Sequence, residues 1–138
     1  MKSAEDLKSF GVGVVVLNEF RKVLLGWRCG TYFPDCWALP GGLAEPGESV
    51  IDCGIRELRE ETSLEAHGVP SVLHRFQNED TSVCEETAGL LVEHFVGHPK
   101  AIELDKMINW RWFSLNKLPE PIFYPSAEIL KNLLEPAR

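Results

Sequence analysis

The chain has 138 residues, of which 44% are hydrophobic and 25% charged, a size and balance typical of one globular domain with a buried core. Its formal net charge of −7 argues against a nucleic-acid or membrane-surface partner, because both bind a net positive face. The N-terminal segment MKSAEDLKSFG is too polar for a signal peptide, and no apolar run approaches a membrane span. We therefore expect a single domain over residues 1–138 and a cytoplasmic location.

The first half of the chain alternates strand and turn signals. The segments FGVGVVVLN (10–18) and VLLGWR (23–28) are rich in β-branched or large apolar residues and are separated by EFRK, so we expect them to pair as a hairpin. A Pro-containing loop then leads to a short apolar segment that ends at the turn signal Pro40-Gly41-Gly42. The four cysteines form no CxxC pair, which predicts reduced thiols that mainly fill the core.

A helix is predicted over residues 49–62, because its apolar residues recur on one stripe. The members of the stripe are Val50, Ile51, Gly54, Ile55 and Leu58. Further along, SVLHRFQ, GLLVEHFVG and INWRWFSL are strand candidates, and PSAEILKNLLEP has a helical start at Ser126 and a proline stop. This order predicts a mixed α/β fold in which helices cover a sheet.

Three glutamates crowd one side of the predicted helix. Glu57, Glu60 and Glu61 stand at i, i+3 and i+4, so they share an arc beside the apolar stripe. Like charges in this arrangement repel one another, and a hard divalent cation such as Mg²⁺, which prefers oxygen ligands, would complement them. A glutamate-rich face that is simply solvated is the alternative.

The spacing around these glutamates is more specific than the glutamates themselves. Gly42 is followed after five residues by Glu48, and after seven more by the run REL-REE at residues 56–61. The pattern resembles the Nudix box, G-x5-E-x7-R-E-U-x-E-E-x-G-U with U aliphatic, of the Nudix hydrolases. Leu64 fills the last aliphatic position, and Ser63 replaces the final glycine. The resemblance implies a Nudix-type α/β/α sandwich with a mixed β-sheet and flanking helices.

The resemblance also implies a metal site. In this family the loop and helix hold Mg²⁺ or Mn²⁺ against a diphosphate, and a metal-activated water attacks phosphorus. By position, the expected metal ligands are Gly41, through its carbonyl, and the carboxylates of Glu57, Glu60 and Glu61. The expected catalytic residues are Glu57, Glu60 and Arg56.

Supporting and substrate-binding roles follow from the same resemblance. Glu48 is expected to form an ion pair with Arg56 that supports the loop on the helix. Gly42 lets the backbone approach the phosphates. Arg28, in the segment LLGWR, corresponds to an arginine that lies near the triphosphate in MutT-like relatives, so Gly42 and Arg28 are the expected substrate-binding residues.

The sequence does not select the general base or the residues that contact a nucleotide base. The general base is Glu57 or Glu60, or a later acid, Glu103 or Asp105, facing them across the site. A nucleotide base would need a flat apolar slot, for which the candidates are Trp27, Phe33, Trp37, Trp110 and Trp112. The last two share a strand face and are better interpreted as core residues.

The flanking segments are similar to those of MutT-like nucleoside triphosphate pyrophosphohydrolases. We therefore expect Mg²⁺-dependent cleavage of a (deoxy)nucleoside triphosphate to monophosphate and pyrophosphate, with a small nucleotide as the partner. A nucleotide-sugar or other nucleoside-diphosphate hydrolase is the alternative enzyme, and a regulatory nucleotide-binding module is the alternative from another class. A homodimer is left open.

Overall fold

A computed structural model of the protein describes residues 10–135, so the predictions for the N-terminal segment and for the stop at Pro136 concern residues outside this range. The elements in chain order are β1 (Gly11–Val16), β2 (Lys22–Arg28), β3 (Cys36–Ala38), β4 (Gly41–Leu43), α1 (Val50–Thr62), β5 (Glu65–Ala66), β6 (Ser71–Gln77), β7 (Glu86–Val92), β8 (Phe95–Val96), β9 (Met107–Ser114) and α2 (Tyr124–Leu134). Within the described range, neither helix is long and apolar enough to cross a membrane.

The strands form two larger sheets and one small pair. The first sheet is mixed and has the order β4-β1-β7-β6, in which β1 and β7 run parallel and the other neighbours run antiparallel. The second sheet is antiparallel with the order β3-β2-β9. Strands β5 and β8 pair separately. Of the three strand candidates in the second half of the chain, SVLHRFQ coincides with β6 and INWRWFSL overlaps β9, whereas GLLVEHFVG spans the end of β7 and the separate strand β8.

The predicted hairpin of the first two strands is wrong beyond its turn. Strands β1 and β2 meet through a bridge between Leu17 and Val23 and a hydrogen bond from the Asn18 amide to the Lys22 carbonyl. They then diverge into different sheets, because β4 and β7 occupy both edges of β1 while β3 and β9 occupy both edges of β2.

The two faces of β1 bury side chains in two separate clusters. Val12, Val14 and Val16 pack with α1, whereas Val15 and Leu17 pack with α2. Since successive strand residues point to opposite faces, one apolar strand can contribute to both clusters. The helices therefore cover the mixed sheet from two sides, and the predicted α/β/α sandwich is confirmed.

Both predicted helices form, with corrections. Helix α1 begins after Ser49, whose hydroxyl accepts a hydrogen bond from the Asp52 amide at 3.0 Å, as expected of an N-cap. Helix α2 begins at Tyr124 rather than Ser126, because Pro125 is accommodated in its first turn. The buried stripe of α1 is also rotated from the prediction. It comprises Val50, Cys53, Gly54, Leu58, Glu61 and Thr62.

Candidate active site

The three glutamates of α1 differ sharply in exposure. Glu61 is buried with 7% of its surface exposed, the Glu57 side chain is 13% exposed, and the Glu60 side chain is 47% exposed. The arc thus runs from the protein interior to solvent within one helical turn. A solvated glutamate face, the alternative interpretation of the sequence, describes only Glu60.

The Glu61 carboxylate is held against the glycine pair by a backbone amide of that pair. Its Oε1 accepts a hydrogen bond from the Gly41 amide at 3.4 Å, while its buried Oε2 has no hydrogen-bond partner. Burial raises the pKa of this carboxyl well above its ordinary value, and the charges of Glu57 and Glu103 raise it further. An unpaired carboxylate oxygen in the interior is costly unless it is protonated or meets a cation.

Glu57 lies in contact with the second glycine. A Cβ at Gly42 would stand 2.6 Å from the Glu57 carboxylate, so only glycine leaves room for the observed side chain. Burial raises the pKa of Glu57, whereas its hydrogen bond with Arg56 lowers it. At Gly41 a Cβ would instead overlap the carbonyl oxygen of Val12 on the neighbouring strand.

Arg56 is the centre of an ion-pair network. It donates to both carboxylate oxygens of Glu48, from Nε at 2.7 Å and from Nη2 at 2.9 Å. Its Nη1 donates to Glu57 at 2.9 Å and to Glu60 at 3.1 Å, and Nη2 also bonds the Leu43 carbonyl. The bidentate pair lowers the pKa of Glu48 to about 2 and raises that of Arg56. The loop, the helix and two of the three glutamates are therefore tied to one guanidinium.

The donor chemistry fits a hard divalent cation. Glu57, Glu60 and Glu61 offer carboxylate oxygens on one helix face, and one of these oxygens is buried without a partner. In the described part of the chain no three Asp, Glu, His or Cys side chains are already gathered around one point. Glu57 and Glu60 instead accept hydrogen bonds from Arg56. The three predicted glutamate ligands thus share one helix face without forming a preassembled cage.

A fourth carboxylate reaches the group from a different element. Glu103, in the segment before β9, is partly buried, and its charge raises the pKa of both Glu57 and Glu61. Asp105 is exposed. Of the two later acids that the sequence offered as a general base, Glu103 is the one that the fold directs toward the helix glutamates.

A cavity of about 520 Å³ opens beside the glycine pair. Its lining includes Gly41 and Gly42, Arg28 at the end of β2, and the segment around Asn78 to Cys84 on the opposite side. Volumes of this order hold small-molecule ligands such as nucleotides. The fold therefore places a ligand-sized space next to the box residues.

The aromatic lining differs from the sequence prediction. Of the five candidates only Phe33 lines the cavity. Trp27 and Trp37 pack edge to face at 5.3 Å, while Trp110 and Trp112 pack on the α1 cluster. The prediction missed three aromatic lining residues, which are Tyr32, Phe123 and Tyr124. A signal existed in the sequence, since the motifs TYFP and IFYP each place an aromatic pair directly before a proline.

Arg28 lies in the cavity wall, but its guanidinium is already engaged. Its Nε donates to the Phe33 carbonyl at 2.9 Å and its Nη2 to the Tyr32 carbonyl at 2.6 Å. The guanidinium carbon also stands 4.2 Å from the ring centroid of Phe123. The prediction that Arg28 binds substrate stays a prediction.

Comparison with known proteins identifies the family. The NUDIX domain matches residues 7–133, a range that includes the glycine pair, α1 and the cavity. The chain belongs to the Nudix family. A solved Nudix relative with a similar fold is the MutT NUDIX hydrolase from Burkholderia pseudomallei, with a TM-score of 0.80 and 26% identity over 89% of this chain and 95% of that one. The predicted MutT-like Nudix assignment is confirmed.

Relatives with similar sequences carry different names. An ADP-ribose pyrophosphatase from Methanocaldococcus jannaschii is 32% identical over 121 residues, which is 86% of this chain and 69% of that protein. The m7GpppN-mRNA hydrolase NUDT17 of Xenopus laevis is 46% identical over 56 residues, or 39% of this chain. That match spans only 19% of the Xenopus protein. Family membership therefore does not by itself choose a substrate.

Proposed function

We propose that this protein is a Mg²⁺-dependent hydrolase that cleaves a (deoxy)nucleoside triphosphate to the monophosphate and pyrophosphate. The observation that carries the proposal is the buried Glu61 carboxylate, whose Oε2 has no partner, beside a glycine pair that lines a ligand-sized cavity. A buried carboxylate oxygen without a partner reduces stability. Its position next to a cavity favours a cation-binding role over a packing role.

The metal would be held by Glu57, Glu60, Glu61 and the Gly41 carbonyl. When bound, Mg²⁺ supplies Lewis-acid activation of water and neutralises charge on the phosphates. The helix supplies the ligands from one face, so their relative positions are fixed by its backbone. Mn²⁺ would suit the same oxygen ligands.

The remaining residues position and shape the site. Arg56 orients Glu57 and Glu60 and is itself anchored by Glu48. Gly42 leaves the space in which the Glu57 carboxylate stands. The group that accepts the proton of the attacking water is Glu57, Glu60 or, from the opposite segment, Glu103.

A second candidate is cleavage of a nucleoside diphosphate linked to another group. The observation that favours it is the Methanocaldococcus relative, named an ADP-ribose pyrophosphatase, which matches most of both chains. A regulatory nucleotide-binding module is less well supported, because every box carboxylate is retained.

The protein is further proposed to work in the cytoplasm on small nucleotides without a nucleic-acid partner. Analytical sedimentation would test whether it forms a homodimer.

A substrate panel with Mg²⁺ separates the two enzyme candidates. Nucleoside triphosphates, ADP-ribose and a nucleotide sugar are incubated with the protein, and nucleoside monophosphate, phosphate and pyrophosphate are followed separately. We expect pyrophosphate release from a triphosphate. In labelled water, ¹⁸O in the pyrophosphate would indicate attack at the β-phosphorus. Faster turnover of ADP-ribose without pyrophosphate would favour the second candidate.

Variants of the helix glutamates test the metal site. Glu60→Gln and Glu61→Gln should each lower kcat by at least about 100-fold, because a lost ligand removes charge stabilisation in the transition state. Asp52 is an exposed acid in the first turn of the same helix, so Asp52→Asn is the matched control and should stay active. Near-wild-type turnover of both glutamine variants, with unchanged circular dichroism, would contradict the assignment.

A further inference from the structure

The loop that follows β2 has an unusual backbone. Phe33 and Asp35 adopt positive φ angles of 47° and 64°, a conformation in which non-glycine side chains are strained. Such a conformation persists only where surrounding contacts enforce it. The loop nevertheless carries Tyr32 and Phe33 onto the cavity.

The contacts that enforce this loop converge on Arg28. Its side chain donates to the carbonyls of Tyr32 and Phe33, and its own carbonyl accepts a hydrogen bond from the Asp35 amide at 2.7 Å. Bonds that do not involve Arg28 run from the Cys36 thiol to the Phe33 carbonyl at 3.4 Å and from the Cys29 amide, at the start of the loop, to the Lys106 carbonyl at 2.9 Å. The arginine therefore bridges both ends of the loop.

Arg28 also joins this loop to the start of α2. Its guanidinium lies 4.2 Å from the Phe123 centroid and 5.8 Å from the Tyr32 centroid. The Phe33 ring contacts both aromatic partners, with centroids 4.7 Å from Tyr32 and 5.9 Å from Phe123. We call Tyr32, Phe33 and Phe123 the aromatic wall of the cavity.

From this arrangement we infer that Arg28 is a positioning residue rather than a phosphate ligand. It fixes the aromatic wall and thereby sets the affinity for the nucleoside part of the substrate. A flat apolar ring is the chemistry that such a wall recognises. The identity of the ligand rests on the proposed function, whereas the positioning of the loop does not. Lysine cannot replace the planar guanidinium of Arg28, which donates to two carbonyls and stacks on a ring.

Limited proteolysis tests the positioning role without any substrate. Chymotrypsin can cut after Tyr32, and mass spectrometry follows that cut alone. In Arg28→Lys the cut should be at least about 5-fold faster, because a loop that has lost the two guanidinium hydrogen bonds opens more often. Arg111→Lys, on an exposed position of β9, is the matched control and should match the wild type. Phe123→Leu, which removes the ring beneath the guanidinium, should also accelerate the cut. Wild-type rates in both the Arg28 and the Phe123 variants would overturn the positioning role.

Kinetics test the ligand assignment. For Arg28→Lys we expect KM for the best nucleotide to rise at least about 10-fold with kcat within about 3-fold. Inhibition by the corresponding nucleoside should weaken by a similar factor, while inhibition by inorganic pyrophosphate stays unchanged. Weaker pyrophosphate inhibition with unchanged nucleoside inhibition would overturn the inference in favour of a phosphate contact. If the protein hydrolyses no nucleotide, the nucleoside assignment falls with the proposed function, and the proteolysis result still decides the positioning role.

Discussion

At the scale of single residues, the two neighbouring glycines have different reasons to be glycine. Around Gly42 the neighbouring atoms belong to the flexible Glu57 side chain, whereas around Gly41 they belong to the backbone at Val12. A carboxylate can swing away at little cost, but a paired strand cannot. Substitutions at the two positions should therefore damage different properties of the protein.

We predict that Gly42→Ala keeps the fold and loses activity, whereas Gly41→Ala loses stability. In Gly42→Ala the new methyl group displaces the Glu57 carboxylate, which should lower kcat at least about 10-fold. In Gly41→Ala the strand pair must separate, which should lower the unfolding free energy by about 2 kcal/mol or more. Urea denaturation and steady-state kinetics measure both effects. Full activity of folded Gly42→Ala would contradict the contact.

The pair between Glu48 and Arg56 gives a pH prediction. The folded-state pKa of Glu48 is about 2, below its ordinary value of 4.5, so the pair stabilises the fold above that ordinary pKa and the stabilisation is lost as pH falls toward 2. Glu48→Gln should be less stable than the wild type by about 1 kcal/mol at pH 6. The difference should shrink toward zero between pH 4.5 and 2 in urea titrations of metal-free protein. A difference independent of pH would contradict the ion pair.

At the scale of elements, the exit of α1 carries the departure from the box pattern. Ser63 has φ 66° and ψ 7°, and its amide bonds the Arg59 carbonyl. This is the left-handed cap conformation that glycine adopts without strain. Serine therefore stands in a backbone conformation that favours the glycine of the box pattern.

We predict that Ser63→Gly is neutral to stabilising by at most about 1 kcal/mol, since relief of strain is partly offset by a looser unfolded chain. Activity should change little, because the helix glutamates lie upstream. Ser71→Gly, at the exposed start of β6, is the control and should be destabilising, because there glycine only adds unfolded-state freedom. Loss of about 0.5 kcal/mol or more in Ser63→Gly by urea denaturation would contradict the strained cap.

The elements also show where sequence reasoning succeeds. Helix α1 could be predicted to within one residue of each end, because Ser49 is an N-cap and the apolar period is regular. Its buried stripe could not, because the prediction placed only apolar residues inside, whereas the fold buries the carboxylate of Glu61 and leaves Ile51 and Ile55 only partly buried. The burial of a carboxylate cannot be read from the hydrophobic period.

The same limit applies to the cavity. The glutamates and glycines of the box have a fixed spacing along one loop and one helix, so the sequence brings them together. Tyr32 and Phe123 come from two loops about 90 residues apart. Neither period nor spacing relates them. A bridge between Trp37 of β3 and Ile122, with hydrogen bonds from the Trp37 amide to the Pro121 carbonyl and from the Phe123 amide to the Trp37 carbonyl, brings the two loops together. The division of strands between two sheets was missed for a similar reason, since strand pairing over long distances has no local signal.

At the scale of the whole molecule, the proposed site lies where separate parts of the fold meet. The edge strand β4 supplies the glycines, α1 the glutamates, the end of β2 the arginine, and the segment before β9 supplies Glu103. Strand β4 belongs to the mixed sheet, whereas β2 and β9 belong to the antiparallel sheet, and α1 packs on the first face of β1. Substitutions far from the glutamates can therefore alter the cavity without touching the box.

The parallel pairing of β1 with β7 has a consequence for how the chain folds. The pair joins Gly11 to Thr87 and continues in register to Val16 and Val92, so its partners are separated by roughly 75 residues, a high contact order typical of slow folding in the range of milliseconds to seconds. The glycine strand β4 is local to β1, yet β1 gains its second neighbour only after β7 has been synthesised. During synthesis on a ribosome, the glycines would therefore reach their final place only after the glutamate helix has emerged. A β1–β4 pair that formed earlier would leave the β7-facing edge of β1 unpaired.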